Sequence, residues 1–303
     1  MPKTKKISTQ NDPEVAPSTP QLKSGLVTLV GRSNVGKSTL LNTLVGTKLA
    51  AVTHKPQTTR NIIHGVVNSP EGQAVLVDTP GIFKSNNDNL GGILTERVEE
   101  ALHDIDLIIY IVDPTKAIGA EERFILALLR KSSAPKILVI NKSDLPEREK
   151  EFLDNYKEMA DDFAAVFELS ALHARHVEPL RKKIFELLPV GEPFYPPEQL
   201  TNIDQKFWMA EVIREKILLA LRQEVPYSTH VEVREVEEKP DLLIIHAAIL
   251  TSDKRYKKMI IGAGGRALKE IGIAARKELE TARNKKVFLD LEVEADTHWI
   301  ERV

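Results

Sequence analysis

The segment GRSNVGKS, residues 31 to 38, has the residue types and spacing of a phosphate-binding loop. Its glycines allow backbone N–H groups to wrap around phosphate oxygens, and a helix that begins behind them adds a partial positive charge. We expect Lys37 to reach the β- and γ-phosphates and the hydroxyl of Ser38 to be a ligand of Mg²⁺. The residues predicted to bind nucleotide in this segment are Gly31, Arg32, Ser33, Asn34, Val35, Gly36, Lys37, Ser38 and Thr39.

A second group of candidate residues lies in DTPGIF, residues 78 to 83, at the end of a hydrophobic run. Asp78 would hold Mg²⁺ through a water molecule, and the N–H of Gly81 would sense the γ-phosphate. Ras-like GTPases have a glutamine after this glycine that orients the attacking water, whereas this sequence has Ile82 followed by Phe83. Neither apolar side chain can hold a water, so other groups must place it. The nucleotide-binding residues predicted here are Asp78, Thr79, Pro80, Gly81 and Ile82.

Two later segments, NKSD at 141–144 and LSA at 169–171, predict that the base is guanine. The carboxylate of Asp144 can accept from both the ring N–H and the exocyclic amine of guanine, whereas adenine offers the wrong donors. Asn141 and Lys142 would brace the base and the phosphate loop, and LSA would supply a backbone N–H for the guanine oxygen. The residues predicted at this corner are Asn141, Lys142, Ser143, Asp144, Leu169, Ser170 and Ala171.

The segment PQTTRN, residues 56 to 61, lies between the phosphate loop and DTPG, where a mobile threonine is expected to reach Mg²⁺ and the γ-phosphate. Thr59 is the preferred ligand and Thr58 the second choice, while a plain polar loop is the alternative. The predicted metal ligands are therefore Ser38, Thr59 and Asp78.

The elements that must position these residues follow an alternating pattern of apolar runs and helical segments, which is typical of a doubly wound α/β domain. Continuous β-branched runs predict strands that are buried on both faces, so we expect a mostly parallel sheet with the motifs at the carboxyl ends of its strands. The predicted strands are 26–30, 62–67, 74–77, 107–112, 136–140 and 165–169, and the predicted helices lie near 37–46, 91–103, 120–131, 148–162 and 175–188.

Changes in composition divide the chain into four predicted parts. Residues 1–24 are rich in Lys, Ser, Thr and Pro and are expected to be a disordered tail. Residues 25–188 are expected to form the P-loop, Ras-like G domain, and the proline-rich stretch 189–205 a linker. Residues 206–303 are expected to form a smaller α+β domain.

The C-terminal part carries GAGG, residues 262 to 265, between two helical patterns. Its predicted order is helix, strand, strand, helix, loop, helix, strand, which resembles a type II KH domain, whose GxxG loop clamps single-stranded nucleic acid. Many KH loops carry Lys or Arg between the glycines, whereas this loop has Ala263 and Gly264. Positive charge must therefore come from the flanks. The predicted RNA-binding residues are Lys257, Lys258, Gly262, Ala263, Gly264, Gly265, Arg266 and Lys269.

The composition excludes several classes of site. The 303 residues include no cysteine, which excludes disulfides, thiolate metal sites and cysteine nucleophiles. The formal net charge is −2, so the whole chain is not a general polyanion binder, although a local basic patch remains compatible with it. No apolar run has membrane-spanning length, and the N-terminus has no hydrophobic signal core.

Taken in order, GRSNVGKS, PQTTR, DTPGIF, NKSD and LSA resemble the Era family within the TrmE–Era–EngA group of bacterial GTPases. The resemblance covers almost everything from residue 25 onward, including AEVIREKILLALRQEVPYS and IGIAARKELE in the C-terminal domain. It implies a GTPase that binds GTP and GDP, uses Mg²⁺ and binds the 3′ region of 16S ribosomal RNA in assembly of the small ribosomal subunit. It also implies a cytoplasmic protein, expected to be a monomer, that can associate peripherally with the inner membrane.

The resemblance further implies that K⁺ sits beside the phosphates. The side-chain carbonyl of Asn34 is a good oxygen ligand for a monovalent ion, and the resemblance implies that it seats K⁺ together with switch-loop backbone. The alternative is that Asn34 only braces the loop. The residues expected to contribute to catalysis are Lys37, Thr59, Asn34 and Gly81.

Two other function classes are weighed against a competent GTPase. One is a GTP-gated RNA-binding module whose slow hydrolysis only resets it, and single-turnover hydrolysis with and without RNA would discriminate the two. The other is a membrane-remodelling GTPase, which is disfavoured because the C-terminal half lacks a long helical stalk pattern.

Overall fold

The structure is a computed structural model, and it describes residues 21–53, 63–78, 104–221 and 225–299. The N-terminal part forms a six-stranded sheet in the order β2-β3-β1-β4-β5-β6. Among these six strands, only β2 runs antiparallel to its neighbour. The strands are β1 (Lys23–Val30), β2 (Ile63–Ser69), β3 (Gly72–Asp78), β4 (Leu107–Val112), β5 (Lys136–Ile140) and β6 (Ala165–Glu168).

Helices cover both faces of this sheet, as the buried apolar runs predict. The described helices are α1 (Lys37–Val45), α2 (Ala120–Lys131), α3 (Leu153–Lys157) and α4 (Val177–Leu187). On one face α1 and α4 pack on β1 and β3, and on the other α2 and α3 pack around Tyr110 and Leu138. The mostly parallel, doubly wound G domain is therefore confirmed.

Most predicted elements agree with the structure, with clear differences at two places. The strand β1 begins at Lys23, before the predicted strand start at 26 and inside the predicted tail, because Lys23 pairs with Gly72. The single helix predicted at 148–162 is wrong, since a short α3 lies between two 3₁₀ turns. Within α3 only Leu153 and Tyr156 are buried, so little apolar surface holds a longer helix against the sheet. The helix predicted at 91–103 lies outside the described residues.

The C-terminal part has the predicted element order and forms a three-stranded sheet, β7-β8-β9. The strands β7 and β8 are antiparallel, and β8 and β9 are parallel. Three helices pack on one face of it, so the KH architecture is confirmed. The elements are α5 (Gln205–Ala220), β7 (Thr229–Glu238), β8 (Leu242–Thr251), α6 (Lys254–Ile261), α7 (Arg266–Arg283) and β9 (Lys286–Ala295).

The stretch predicted as a linker lies against the outer strands of the first sheet. Gln73 on β3 exchanges two hydrogen bonds with the backbone of Tyr195, at 2.8 and 2.9 Å. Thr201 forms a bridge with Gly65 on β2. The side chain of Asp204 then accepts from the N–H of Phe207 at 2.7 Å and caps α5. These bonds attach the second domain to the edge of the first. Within the described residues, no helix combines the length and apolar content needed to cross a bilayer.

Candidate nucleotide-binding and nucleic-acid-binding sites

The phosphate loop connects β1 to α1, and its backbone adopts conformations that favour glycine. Gly36 has φ of +104°, and a Cβ atom there would lie 2.2 Å from the amide nitrogen of Asn141. Asn34 also has a positive φ, +65°, and is exposed at the loop. The loop therefore presents backbone N–H groups and one exposed polar side chain where α1 begins.

Lys37 is buried inside this loop and already bonded to it. Its ammonium donates to the carbonyl oxygens of Gly31 at 3.0 Å and Arg32 at 2.9 Å. Burial lowers the pKa of Lys37 to about 8, and the nearby Asp78 opposes that shift only in part. A phosphate group at the loop would restore the stability of the charged form, as expected for a phosphate-binding lysine.

Two residues predicted to be Mg²⁺ ligands lie side by side, Ser38 near the start of α1 and Asp78 at the end of β3. The hydroxyl of Ser38 donates to Asp78 at 2.6 Å. Asp78 ends β3, in register with Leu29 on β1, so the parallel pairing of these strands brings the two motifs together. Carboxylate and hydroxyl oxygens are the ligands that Mg²⁺ prefers, so the pair fits the predicted metal site.

Several predicted site residues cannot be placed. Thr58, Thr59, Thr79, Pro80, Gly81 and Ile82 lie outside the described residues. Their assigned roles remain predictions.

Asn141 joins three predicted segments at the opposite end of the loop. Its amide nitrogen donates to the carbonyl of Val35 at 2.8 Å, and its amide oxygen accepts from the N–H of Ala171 at 2.9 Å. The N–H of Ser143 also donates to the carbonyl of Leu169, at 3.0 Å. NKSD, LSA and the phosphate loop are thus brought together by direct hydrogen bonds.

Asp144 lies in the same corner, and its surroundings favour the charged form of its carboxyl. A hydrogen bond from the Ser170 hydroxyl lowers the pKa of the Asp144 carboxyl, and His173 and Arg175 lower it further. The Nε2 atom of His173 lies 3.8 Å from the carboxylate. A carboxylate ionised at neutral pH can accept from two guanine N–H groups.

Asp113 is a residue at this corner that the sequence analysis missed. It is buried, follows β4, and lies 2.5 Å from the ammonium of Lys142. Its second oxygen accepts from the N–H and hydroxyl of Thr115 at 3.0 and 2.8 Å. Burial would raise the pKa of Asp113, but the bonds from Lys142 and Thr115 outweigh it, and the pKa lies below its usual value. The signal in the sequence that could have identified Asp113 is its position directly after the apolar run of β4, the strand that precedes β5 and its NKSD segment.

The side chain of Arg32 points away from the phosphate loop. Its guanidinium pairs with Glu121 at 2.5 Å and with Glu122 at 3.0 Å, both in the first turn of α2. Arg32 therefore offers nucleotide only its backbone in this arrangement. The same ion pairs connect the loop to α2.

The GAGG segment forms a tight turn between α6 and α7. Gly262, Gly264 and Gly265 have φ of +74°, +61° and +77°. A Cβ atom on Gly262 would lie 2.8 Å from Ala267, whereas Gly264 and Gly265 face open space. A sugar–phosphate backbone can therefore approach the loop closely, next to the N–H groups of the first turn of α7.

The basic residues near this turn fall into two groups. Arg283 and Lys285, at the far end of α7, pair with Glu238, and Arg255 pairs with Asp253. The second group is the four predicted RNA-binding cations: Lys257 and Lys258 on α6, and Arg266 and Lys269 in the first turn of α7. Lys257 also interacts electrostatically with Glu294. The structure thus places the predicted RNA-binding cations on both sides of the loop.

Both domains of the chain are similar to known protein families. Residues 26–142 match the family described as 50S ribosome-binding GTPase, and residues 224–300 match the KH domain family. The chain is 39% identical to GTPase Era of Heliobacterium modesticaldum, covering 93% of this chain and 95% of that protein. It is 41% identical to GTPase Era of Carboxydothermus hydrogenoformans, covering 91% and 94%.

Two solved structures are also similar over 93% of this chain and 96% of theirs, each at 35% identity and a TM-score of 0.85. One is Era in complex with MgGDPNP and nucleotides 1506–1542 of 16S ribosomal RNA. The other is a variant of Aquifex aeolicus Era bound to GDP and AlF4⁻.

Proposed function

This chain belongs to the Era family of GTPases, and we propose that it binds the 3′ region of 16S ribosomal RNA during assembly of the small ribosomal subunit. GTP, which it hydrolyses to GDP and phosphate, would occupy the site between the phosphate loop and the NKSD corner. The observation that carries the nucleotide assignment is Asn141, which bonds both to the phosphate loop and to LSA.

The RNA assignment is supported by the chemistry around GAGG. The loop has no side chain at Gly264 and Gly265, and the four cations Lys257, Lys258, Arg266 and Lys269 flank it on α6 and α7. Single-stranded RNA binding by a GxxG loop needs close backbone approach and positive charge, and both are present here.

The RNA assignment is tested by replacing Ala263 and Gly264 with Asp. The two carboxylates repel phosphate, so we expect loss of binding to a 16S 3′ fragment while GTP hydrolysis without RNA stays unchanged. Lys239→Asp, at the β7–β8 turn, is the matched control because it makes the same change in net charge away from the loop. Unchanged RNA affinity of the loop variant in a low-salt gel shift would refute the KH assignment.

We propose that Mg²⁺ binds with ligands from Ser38 and Asp78 and from Thr59, with Thr58 as the second choice. The 2.6 Å pair of oxygens at Ser38 and Asp78 fits such an ion. When bound, Mg²⁺ would neutralise charge on the β- and γ-phosphate oxygens. The N–H of Gly81 would contact the γ-phosphate, and Lys37 would donate to the phosphates from inside the loop.

We also propose that Asn34 offers its side-chain carbonyl to K⁺, because Ile82 cannot orient water or supply charge. The support is its exposed position on the phosphate loop with a positive φ. A bound K⁺ would add positive charge beside the phosphates. Hydrolysis should be several-fold faster in K⁺ than in Na⁺, and Asn34→Ala should remove that difference with GTP affinity nearly intact. Equal wild-type rates at matched ionic strength, with and without RNA, would refute the assignment.

The remaining proposals depend on family resemblance alone. They are a cytoplasmic location, a monomeric state and peripheral association with the inner membrane. Cell fractionation and analytical ultracentrifugation would test them. A slow hydrolysis that RNA does not accelerate would instead favour a GTP-gated RNA-binding module.

A further inference from the structure

The loop that follows α1 is held by side chains from the C-terminal domain. We infer that Glu215 and Lys48 are positioning residues for GTP hydrolysis, through which the RNA-binding domain holds the chain leading to Thr58 and Thr59. The inference rests on the proposed role of those threonines. The junction cluster is defined as Lys48, Glu215, Lys216 and Glu278.

Lys48 is the residue of the G domain at the centre of the junction cluster. Its ammonium lies 2.8 Å from Glu215 on α5 and 2.5 Å from Glu278 on α7. Lys216 also bonds to Glu215, at 2.9 Å, and pairs with Glu278. Two lysines and two glutamates thus form a charge-balanced group that connects α5 and α7 to the loop after α1.

The C-terminal domain also bonds directly to the backbone of this loop. Glu215 accepts from the N–H of Val52 at 2.9 Å, and the indole N–H of Trp208 donates to the carbonyl of Lys48 at 2.9 Å. Val52 precedes Thr58 by six residues and Thr59 by seven. Glu215 on α5 therefore holds the backbone of the described chain at Val52.

The opposite side of the loop is fixed by the G domain itself. The side-chain oxygen of Asn42 on α1 accepts from the N–H groups of Leu49 and Ala50 at 2.8 and 3.0 Å. Its amide nitrogen donates to the carbonyl of Ala50 at 3.0 Å. The loop is consequently held between α1, which begins at the phosphate loop, and α5 of the C-terminal domain. Both helices can therefore influence the path of this loop.

Two members of the junction cluster are largely buried. The side chain of Glu215 is 5% exposed and that of Lys216 13%, so their charges depend on their partners, whereas Lys48 is 37% exposed. Burial would raise the pKa of Glu278, but hydrogen bonds from Lys216 and Lys48 outweigh it and keep the pKa below its usual value. Moving Glu215 away from Val52 would leave a buried carboxylate with fewer partners, which is costly.

The same cluster is connected to the RNA site through α7. This helix begins at Arg266, directly after the GAGG turn, and carries Glu278 twelve residues later. At 1.5 Å per residue, about 18 Å of continuous helix separates the two points. RNA at the GAGG turn and nucleotide in the G domain therefore lie at opposite ends of a connection made by α7, the junction cluster and the loop after α1. If RNA changes the affinity for nucleotide, nucleotide must change the affinity for RNA by the same factor.

The experiment compares single-turnover GTP hydrolysis of Lys48→Met and Glu215→Gln with the wild type, with and without a 16S 3′ fragment. Lys48→Arg keeps the charge and is the conservative rescue. Lys183→Met is the matched control, because Lys183 is a G-domain lysine whose 2.8 Å ion pair with Glu186 lies on α4, outside both sites. Thermal unfolding and GTP affinity are measured for every variant.

We expect Lys48→Met and Glu215→Gln to change the hydrolysis rate without RNA by about threefold or more, with GTP and RNA affinities close to wild type. We also expect the effect of RNA on the wild-type rate, about fivefold or more for a typical coupling, to fall below about twofold in both variants. Lys48→Arg and Lys183→Met should retain the wild-type rates and RNA effect.

Wild-type rates in both variants, with and without RNA, would overturn the inference. An equal loss in Lys183→Met would overturn it too, because the effect would then not be specific to the junction. Failure of the wild type to bind the RNA would refute the proposed RNA function instead. The rates without RNA would still test the positioning role in that case.

Discussion

Replacing Asp113 with Asn should weaken guanine nucleotide binding without touching the phosphate loop. In the structure Asp113 holds the ammonium of Lys142 at 2.5 Å, while Lys142 itself has a positive φ of +62°. Lys142 belongs to the same segment as Asp144, the predicted reader of the base. Without its partner the Lys142 side chain is free to turn into solvent, and the base loses an ordered neighbour.

The size of the effect follows from the burial of the two partners. Removing one member of a fully buried ion pair costs about 3–5 kcal/mol. The side chain of Asp113 is 5% exposed but that of Lys142 is 34% exposed, so the freed ammonium can be hydrated. We therefore expect a loss of about 1–2 kcal/mol, or roughly 5–30-fold in Kd. GTP and GDP should lose the same factor, because the pair lies on the base side of the site.

The assay is displacement of a fluorescent GDP analogue by GTP and GDP for wild type, Asp113→Asn, Lys142→Met and the double variant. If Asp113 acts by positioning Lys142, Asp113→Asn should weaken nucleotide binding little further in a protein that already carries Lys142→Met. The losses of binding free energy in the two single variants, when summed, should then differ from the loss in the double variant by more than about 0.5 kcal/mol. Thr115→Val is the control, because it removes a bond to Asp113 and keeps the ion pair. Additive losses, or a loss for GTP alone, would refute the reasoning.

Three further predictions concern other charges of the two sites. GTP affinity should fall by up to tenfold per pH unit above about pH 8, because burial lowers the pKa of Lys37 to about 8 without nucleotide and the pKa rises when phosphate binds. A flat titration between pH 7 and 9 would contradict this. Asp144→Asn should weaken GTP and favour xanthosine triphosphate, and the same base preference as wild type in competition binding would count against the NKSD assignment. Neutralising Lys257 and Lys258 should reduce the salt slope of RNA binding by about 0.7–1 unit per lost phosphate contact, and an unchanged slope would exclude such contacts.

The parts of the site that the sequence predicted are those encoded by local patterns. GRSNVGKS, NKSD and LSA each follow an apolar run, and parallel strands collect their carboxyl ends at one edge of the sheet. The doubly wound fold class and the KH element order follow from the same alternation of buried runs and helical patterns, whereas the spatial order of the strands comes from the structure alone. The helix predicted at 148–162 failed because local helical pattern was present without enough buried surface to stabilise it.

The amino-acid sequence by itself determined which segments could bind phosphate, guanine and RNA, because those functions depend on residue types at fixed spacing. Only the tertiary structure decided which distant side chains hold these segments in place. Asp113 meets Lys142 because β4 and β5 are neighbours in the sheet, Arg32 turns to α2, and Lys48 meets Glu215 across the contact between the domains. These pairs join residues 29 to 167 positions apart. Helical and strand periodicity carries no information over such separations, and chain packing alone brings the charges within bonding distance.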